Sequence, residues 1–579
     1  LHWQLAFPDV FGRTNPGFDT IIGNPPFIAG SDIWPILGEA YRDFLRYAFE
    51  KTGGKAVDIT AFFFRQCFEL LRSNGSAGLI ATNTICQGDT RQAGLAYICK
   101  SGGSIYSAST RIKWPGVAAV VVCCVHVSKQ YKPTHSLRNG IQCDGINSFL
   151  LKSRKEFDPN PLSENSCWSY RGHVLLSKGF TFSDGDSEAG GSIERMIEIT
   201  SKDKSYKEVI RPYLGGSELN SSPEQSPERY AICFGSMSLE EASAWPEALE
   251  IVENAVKPSR MKLGGYSVAE SRKKNWWLFG TYSSALEKSI YGKSQYLALS
   301  RVSVNHCLSF IPSNVLCSDA IVAFPFEEYS AFGILQSRVH ECWARLLGST
   351  MRDDLRYTSS DCFDTFPFPT APSSLALEAT ASLKTLEEKG REYFFNRSSS
   401  MEKSGEGLTA TYNKFHSPFE SASDIIALRS LHKQIDGEVL KLYGWEDLSL
   451  ECGFALDYVD IDDESELPAS LQSAVDDALL FFWKPDEAQN FELQLRSCGA
   501  IKGKKKLPWR YRWPDEVRDD VLARLLALNA ERYAEEVAQG LHSKGGSKAS
   551  GAAAAGGKRR GRPAKTADPA DTEQIGLAL

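Results

Sequence analysis

A strand that runs directly into two consecutive prolines restricts the fold of this chain more than any other feature. Residues 18–23 are rich in β-branched side chains, and Asn24-Pro25-Pro26-Phe27 follows at once. Each proline fixes its φ angle and lacks a backbone N–H, so the strand has to end there. The pattern predicts a rigid turn whose carbonyl acceptors lie between an amide side chain and an aromatic ring.

This set of groups suits a planar ring that carries an exocyclic amine. The Asn24 side-chain oxygen and the Pro25 carbonyl can each accept one N–H of the amine, while Phe27 stacks on the ring. Holding both N–H groups moves the nitrogen toward sp3 geometry and exposes its lone pair to an electrophilic methyl group. A base in duplex DNA has to leave the stack to reach such a site. The alternative is a strand that ends in an ordinary proline turn.

Helical and strand-like stretches alternate over the first 130 residues. Residues 58–71 carry apolar side chains at helical spacing and end before an Asn-Gly pair. Strands are predicted at 18–23, 78–82, 105–113 and 118–127, with a turn at 114–116. This alternation predicts an open α/β sheet.

Three further parts are predicted after this sheet, in keeping with the roughly three or four domains that 579 residues suggest. Residues 131–370 have Ser, Gly and Pro clusters between aromatic segments, which predicts an irregular α+β domain. A helical C-terminal region is predicted at 371–540, and a disordered basic tail at 541–579. Helices are expected at 372–396, 421–445 and 515–539, with a polar connector at 396–420.

The residues around the two prolines resemble motif IV of N6-adenine DNA methyltransferases. The matching string is Gly17-Phe18-Asp19-x-Ile21-Ile22-Gly23-Asn24-Pro25-Pro26-Phe27, with Phe where many members have Tyr. Ala56-x-Asp58 resembles motif V, and Gly75-x-x-Gly78-Leu79-Ile80-x-x-Asn83 resembles motif VI. Two further strings look like the later motifs of large methylases from Type IIG restriction-modification and related phage-defence systems. They are Gln87-Gly88-Asp89-Thr90-Arg91 and Trp114-Pro115-Gly116-x-Ala118-Ala119-Val120.

The resemblance extends over nearly all of residues 1–540. Residues 335–345 and 355–369 look like the target-recognition segment of these methylases, and residues 436–445 and 513–532 look like their C-terminal helices. A γ-type enzyme is implied, in which residues 1–130 form the C-terminal half of a Rossmann-like catalytic domain with motifs IV to VIII. A target-recognition domain and C-terminal helices then follow.

The activity that this resemblance implies is site-specific methylation of adenine N6 in DNA. S-adenosylmethionine would donate the methyl group to an adenine flipped out of double-stranded DNA, without a covalent enzyme intermediate. The catalytic residues carried over from the family are Asn24, Pro25, Pro26 and Phe27. The alternative function is that of a DNA-binding specificity subunit in a restriction-modification or phage-defence complex.

The chain departs from the family at the cofactor loop. These enzymes carry a Phe-x-Gly-x-Gly string upstream of motif IV, and no such string precedes Phe18. The chain also begins with Leu1 rather than Met. We therefore expect a C-terminal part of a longer methylase, inactive alone, whose missing N-terminal half or partner subunit supplies the cofactor loop. Phe18 to Ile22 should then be partly exposed.

Other candidate residues each have a second interpretation. Asp58 is either a cofactor contact or an ordinary carboxylate at the start of a helix. Trp114 is either a second wall for the flipped base or a cap on the sheet core.

DNA contacts are predicted for Arg91, Lys113, Arg272, Lys273 and Lys274, although such side chains are often merely solvated. In the tail, Arg560-Gly561-Arg562-Pro563 matches the core of an AT-hook, which binds narrow A·T minor grooves; the alternative is a generic basic tail.

Composition excludes several classes of protein. The formal net charge is −7, so DNA binding has to use local patches. The 14 cysteines form no CxxC pair, which indicates reduced thiols in a cytoplasmic protein and argues against a metal site. No apolar run approaches the roughly 20 residues that a membrane span needs. A Pro-Asp…Glu-x-Lys nuclease pattern is likewise missing from the sequence.

Overall fold

The computed structural model describes residues 2–49, 57–113, 121–264, 267–351, 354–375, 380–456, 459, 467–476 and 480–542. The first part of the chain forms a sheet with helices on one side. Its strands are β1 (Phe18–Gly23), β2 (Leu71–Thr82), β3 (Gly103–Lys113), β4 (Val121–Lys129), β5 (Ser136–Arg138) and β6 (Ile141–Cys143). Its helices are α1 (Trp3–Ala6), α2 (Pro8–Phe11), α3 (Ile33–Leu37), α4 (Glu39–Ala48), α5 (Ile59–Leu70), α6 (Gly88–Arg91) and α7 (Tyr97–Lys100).

This sheet is mixed rather than purely parallel. Its strand order is β1-β2-β4-β3-β5-β6, so β1 forms an edge. The pairs β1–β2 and β3–β5 are parallel, whereas β2–β4, β4–β3 and β5–β6 are antiparallel. The predicted strands at 18–23, 78–82 and 105–113 and the helix at 58–71 are confirmed, and the described end of the strand predicted at 118–127 lies in β4. The sheet also extends past residue 130, because β5 and β6 belong to it.

One face of the sheet is packed and the other is open. The packed face contacts α5, where Phe64 and Phe68 join Leu79 and Val125 in one apolar core. Residues that alternate with these point to the opposite side, as the two-residue period of a strand requires. There Ile22 is 84% exposed. The expectation that part of Phe18 to Ile22 is exposed is confirmed.

The middle part of the chain combines small sheets with short helices. Its strands are β7 (Tyr170–Arg171), β8 (Thr181–Phe182), β9 (Ile210–Leu214), β10 (Arg229–Ile232), β11 (Gln295–Ser300), β12 (Val302–Ser303), β13 (Leu308–Pro312), β14 (Leu316–Cys317), β15 (Ile321–Phe324), β16 (Ser349–Met351) and β17 (Asp354–Arg356). Its helices are α8 (Ile193–Lys202), α9 (Gly216–Ser221), α10 (Leu239–Ala242), α11 (Pro246–Ala255), α12 (Lys257–Met261), α13 (Ser267–Lys274), α14 (Ser284–Ile290), α15 (Tyr329–Gln336) and α16 (Arg338–Leu347). The strands form three sheets, ordered β14-β9-β10-β8, β13-β11-β15-β7 and β12-β17-β16.

Helices dominate the last described part of the chain. They are α17 (Ala381–Ser404), α18 (Leu408–His416), α19 (Ser423–Tyr443), α20 (Ala469–Asp476), α21 (Pro485–Ser497) and α22 (Asp515–Ala538). A small sheet, β19-β18-β20, contains β18 (Gly453–Leu456), β19 (Phe481–Phe482) and β20 (Trp509–Arg512). The largest apolar core joins this part to the middle part, since Phe324 and Trp343 lie in it with Tyr393, Ile435 and Leu525.

The prediction of a polar connector at 396–420 is wrong. Helix α17 continues to Ser404, and α18 occupies most of the remainder. Arg397 is buried on α17 and donates hydrogen bonds to the Leu308 carbonyl at 2.7 Å and to the Tyr412 hydroxyl at 3.1 Å. Tertiary contacts therefore override the low helix propensity of this serine-rich stretch. The helix ends at Gly405, which has a φ of +64° that a glycine adopts without strain.

A buried ion pair ties α16 to α19. Arg338 Nη1 lies 2.6 Å from Asp436 Oδ2, and the Arg338 backbone N–H donates to Asp436 Oδ1 at 2.8 Å. Both side chains are almost fully buried. Removing one partner would leave the other charge buried and unpaired, which is far more costly than losing a surface pair.

We therefore expect Asp436→Ala to lower the free energy of unfolding by about 3–5 kcal/mol. A matched control is Glu392→Ala, which removes an exposed pair with Lys389 on α17 and should cost about 0–1 kcal/mol. Urea unfolding followed by circular dichroism measures both variants. Equal unfolding midpoints for the two variants would contradict the role given to the buried pair.

Candidate active site

The Asn24-Pro25-Pro26-Phe27 turn lies at the carboxyl end of the parallel β1–β2 pair. Gly23, the last residue of β1, is paired with Leu79 of β2. Ligands of open α/β sheets bind outside the carboxyl ends of such strands. Asn24 is exposed, Pro25 is buried and Phe27 is 37% exposed. An amide and an aromatic ring are thus accessible at the edge where a ligand is expected.

Two acceptors of this turn accept no hydrogen bond from the residues that the structure describes. Within the described part of the chain, neither the Asn24 side chain nor the Pro25 carbonyl takes part in a hydrogen bond. Two acceptors on neighbouring residues can receive the two N–H groups of one amine, and the adjacent ring supplies an apolar face. The geometry is therefore compatible with the amine-holding role predicted for Asn24 and Pro25.

A depression of about 420 Å³ opens beside Asn24 on the uncovered face of the sheet. That volume falls in the range of small-molecule sites, about 300–1,000 Å³. Its lining is mostly apolar and comes from four strands and the start of the turn: Thr20, Ile22, Gly23, Asn24, Ser76, Gly78, Ile80, Tyr106, Cys124 and His126. The depression lies on the side opposite to α5.

Three hydrogen bonds fasten the turn to the start of α5. The Thr60 hydroxyl donates to the Pro26 carbonyl at 3.1 Å, and the Ile59 N–H donates to the Ile28 carbonyl at 3.0 Å. The Gly30 N–H donates to Asp58 Oδ1 at 3.0 Å. The sequence patterns did not identify Thr60. The feature that could have indicated it is a polar residue near the start of an otherwise apolar helix face.

Asp58 connects this turn to the segment that follows β2. Its second oxygen, Oδ2, accepts a hydrogen bond from the Thr84 hydroxyl at 2.5 Å, and its backbone N–H donates to Thr90 Oγ1 at 3.1 Å. Asp58 immediately precedes α5, but its side chain accepts no N–H from that helix. Each oxygen of Asp58 thus already accepts one hydrogen bond from the protein. The predicted cofactor contact of Asp58 stays a prediction.

The position of Arg91 does not fit the predicted phosphate contact. Its side chain is buried, lies over the Phe149 ring, and donates to Ser148 Oγ at 2.5 Å. Its guanidinium also pairs with Glu156 at 3.2 Å and Asp158 at 2.5 Å. The two acids neutralise this cation in the interior, so Arg91 joins the first sheet to the segment after it. The motif around Arg91 gave no sign of these partners, because they lie 57 to 67 residues further along the chain.

The remaining predicted DNA contacts divide into two groups. Arg272, Lys273 and Lys274 end α13 and are at least partly exposed, and Lys273 pairs with Glu270 at 2.8 Å. The neighbouring Trp276 and Trp277 are buried in the core of the middle part, so they are structural. Outside the described residues lie the Trp114 turn, the Lys113 side chain and the tail motif Arg560-Gly561-Arg562-Pro563.

A group of arginines that the sequence did not reveal lies around β12. Arg301 lies near Arg171 and Arg356, and burial followed by the charges of these two arginines lowers the pKa of the Arg301 guanidinium. Asp319 pairs with Arg171 at 2.5 Å, which leaves an excess of positive charge. Residues this far apart in sequence give no local pattern. The arginines form a positive surface suited to phosphate or base contacts.

Thiols near the turn are not candidate nucleophiles. Burial raises the pKa of the Cys86 thiol to about 11, so it is protonated at neutral pH. Burial likewise raises the pKa of Cys124 beside the depression. Among the described residues, no cluster of His, Cys, Asp or Glu side chains has the composition to hold a metal ion. No helix in the described ranges is long and apolar enough to cross a bilayer.

Two segments of the chain match known protein families. Residues 1–98 match the Eco57I restriction-modification methylase family, and residues 191–370 match the family described as MmeI, target recognition domain. The chain is 22% identical over 454 residues to DNA methyltransferase A of Bacillus subtilis (strain 168), covering 73% of this chain and 45% of that protein.

A solved structure shares the fold. It is that of the Type IIL restriction-modification enzyme MmeI in complex with DNA, at 20% identity and a TM-score of 0.54, covering 74% of this chain and 54% of that one. The chain thus spans about half the length of the relatives that it matches. The first family match contains β1, the proline turn and β2, and the second match lies in the middle part of the chain. The chain therefore combines a first segment similar to Eco57I restriction-modification methylases with a middle segment similar to the MmeI target recognition domain.

Proposed function

We propose that this chain carries the amine-holding half of the active site and the target-recognition domain of a site-specific DNA adenine-N6 methyltransferase. The observation that carries the proposal is a pair of acceptors at the carboxyl end of β1, the Asn24 amide and the Pro25 carbonyl, which no described residue hydrogen-bonds. Phe27 next to them offers a ring face. An adenine flipped out of double-stranded DNA presents the complementary groups, an exocyclic amine on a planar ring.

The chain's own chemistry in this proposal concerns the target amine. Asn24 Oδ1 and the Pro25 carbonyl each accept one N–H, which fixes the nitrogen and directs its lone pair away from the ring plane. Phe27 stacks on the base and excludes water. No side chain has to act as a covalent nucleophile, in keeping with the protonated state of the nearby thiols.

The proposal also holds that the residues of this chain do not make a complete site for S-adenosylmethionine. The sequence contains no Phe-x-Gly-x-Gly string, and Asp58 already receives protein donors. We propose that a cofactor-binding half, in the same polypeptide or in a partner subunit, covers the open face of β1 and β2. The exposed Ile22 supports this, because parallel strand pairs are ordinarily covered on both faces.

The proposed target is DNA in the cytoplasm of a prokaryotic cell. The positive surface around Arg301, the basic end of α13 and the AT-hook-like tail support binding to DNA. The family of the middle part is a target recognition domain, which supports sequence-specific rather than general methylation. Base contacts would come from this domain, and backbone contacts from the basic surfaces.

In the complete protein that contains this chain, Asn24→Ala should reduce methylation by at least about a hundredfold, the usual cost of removing a group that acts on the transition state. DNA binding should survive, because Asn24 would contact only the flipped base. Transfer of tritium from labelled S-adenosylmethionine measures the rate. The matched control is Asn396→Ala on the exposed side of α17, which should methylate normally. Methylation by Asn24→Ala near the wild-type rate would remove the assignment.

The purified chain 1–579 should not bind S-adenosylmethionine measurably, because it lacks the glycine-rich loop. Mixing it with a separately expressed cofactor-binding half should restore binding if that half docks on the open face. Isothermal titration calorimetry measures both cases. Tight binding by 1–579 alone would overturn the proposal that the cofactor half is supplied by another segment.

Deleting residues 541–579 should weaken non-specific DNA binding and make its salt dependence less steep. The deleted stretch has seven Lys or Arg between Lys544 and Lys565, and each lost phosphate contact should reduce the slope of log affinity against log salt by about 0.9. Removing only 566–579, which contains no Lys or Arg, is the matched control. An unchanged slope after the full deletion would show that the tail does not contact DNA.

A further inference from the structure

The proline turn cannot hold its own shape through backbone hydrogen bonds. Pro25 and Pro26 lack N–H groups, and residues 24–29 belong to no helix or strand. The turn therefore depends on contacts from outside, and the start of α5 provides them. We propose that Thr60 is a positioning residue for methyl transfer, which orients the amine-accepting Pro25 carbonyl by hydrogen bonding to the next carbonyl, that of Pro26. This inference rests on the proposed function.

The Thr60 hydroxyl bonds to a carbonyl outside its own helix. Thr60 is the second residue of α5, so the carbonyls three and four residues earlier, which helical threonines often use, precede the helix. Here it reaches Pro26, 34 residues earlier, at 3.1 Å. Thr60 is only 2% exposed, so water cannot replace its hydroxyl. Losing the hydroxyl would leave the Pro26 carbonyl without this donor.

The two proline carbonyls consequently have different tasks. The Pro26 carbonyl is held by Thr60, whereas the Pro25 carbonyl has no hydrogen-bond donor among the described residues. The peptide unit between them is planar, and the Pro26 ring fixes φ at about −65°. Anchoring the Pro26 carbonyl therefore limits the directions in which the Pro25 carbonyl can point. A small displacement of this acceptor would misalign the amine.

The hydrogen bond of the Thr60 hydroxyl is one of several contacts that hold the proline turn in place. Gly30 is held by Asp58, which also accepts from Thr84, so the turn is linked to the segment after β2. Ile28 is held by the Ile59 backbone, a bond that no side-chain substitution removes. Thr60 is thus the contact that can be deleted with little change in shape, by replacement with valine.

The experiment compares Thr60→Val and Thr60→Ser with the wild-type complete protein. Thr60→Val should lower kcat roughly tenfold to a hundredfold, as expected for a misplaced reacting group, while KM for DNA stays unchanged. Thr60→Ser keeps the hydroxyl and should restore kcat. The matched control is Thr411→Val, which removes another buried hydroxyl, bonded to the Gly407 carbonyl in a remote helix, and should leave kcat unchanged.

Hydrogen–deuterium exchange gives a readout that does not depend on activity. The amides of residues 27–30 should exchange faster in Thr60→Val than in the wild type, Thr60→Ser or Thr411→Val. A folded Thr60→Val variant with wild-type kcat or wild-type exchange would overturn the positioning role. A wild-type protein that transfers no methyl group would instead overturn the proposed function, and this role with it.

Discussion

The parallel pairing of β1 with β2 is the constraint on which the candidate site depends. A parallel pair needs a crossover, and here the crossover carries α5 across one face of the sheet. It also brings the carboxyl ends of both strands to one edge, where the prolines stop β1. Since β1 is an edge strand and the face opposite α5 is open, Asn24 borders an accessible depression. The same pairing therefore creates both the site and the surface on which we propose that the cofactor half docks.

Helix α22, the last described helix, joins the middle part of the chain to the first sheet. On α22, Asp519 pairs with Arg138 of β5 at 2.6 Å, and the Asn529 side chain donates to the Asn160 carbonyl at 2.8 Å and to the Thr365 carbonyl at 2.6 Å. These partners lie in the first sheet, the segment after it and the middle part. Two of these contacts are buried and the third is partly buried, so α22 holds the three parts together. Helix α22 is therefore a physical connection between the part that matches a target recognition domain and the sheet that carries the proline turn.

Local sequence patterns predicted much of the first part of the chain. The β-branched run before the prolines and the helical spacing at 58–71 were enough to place β1 and α5, because neither depends on distant residues. The same reasoning failed where contacts between distant residues determine the structure. Most of residues 396–420 are helical, because buried Arg397 finds acceptors on other elements. Arg91 is buried because two acids neutralise it. The arginines around β12 were missed because only the fold brings Arg171 beside Arg301. Thr60 was missed because its acceptor is known only once the turn is built.

If adenine N6 is the atom that becomes methylated, base-resolution sequencing of DNA detects the product. DNA would be taken from a methylation-free bacterial host that expresses the complete gene containing this chain, and modified bases would be mapped by single-molecule sequencing. We expect N6-methyladenine at nearly every copy of one short sequence. No other modified base should exceed the level found in the host without the gene. Modified cytosine at the recognised sequence, with adenines unmodified, would contradict it.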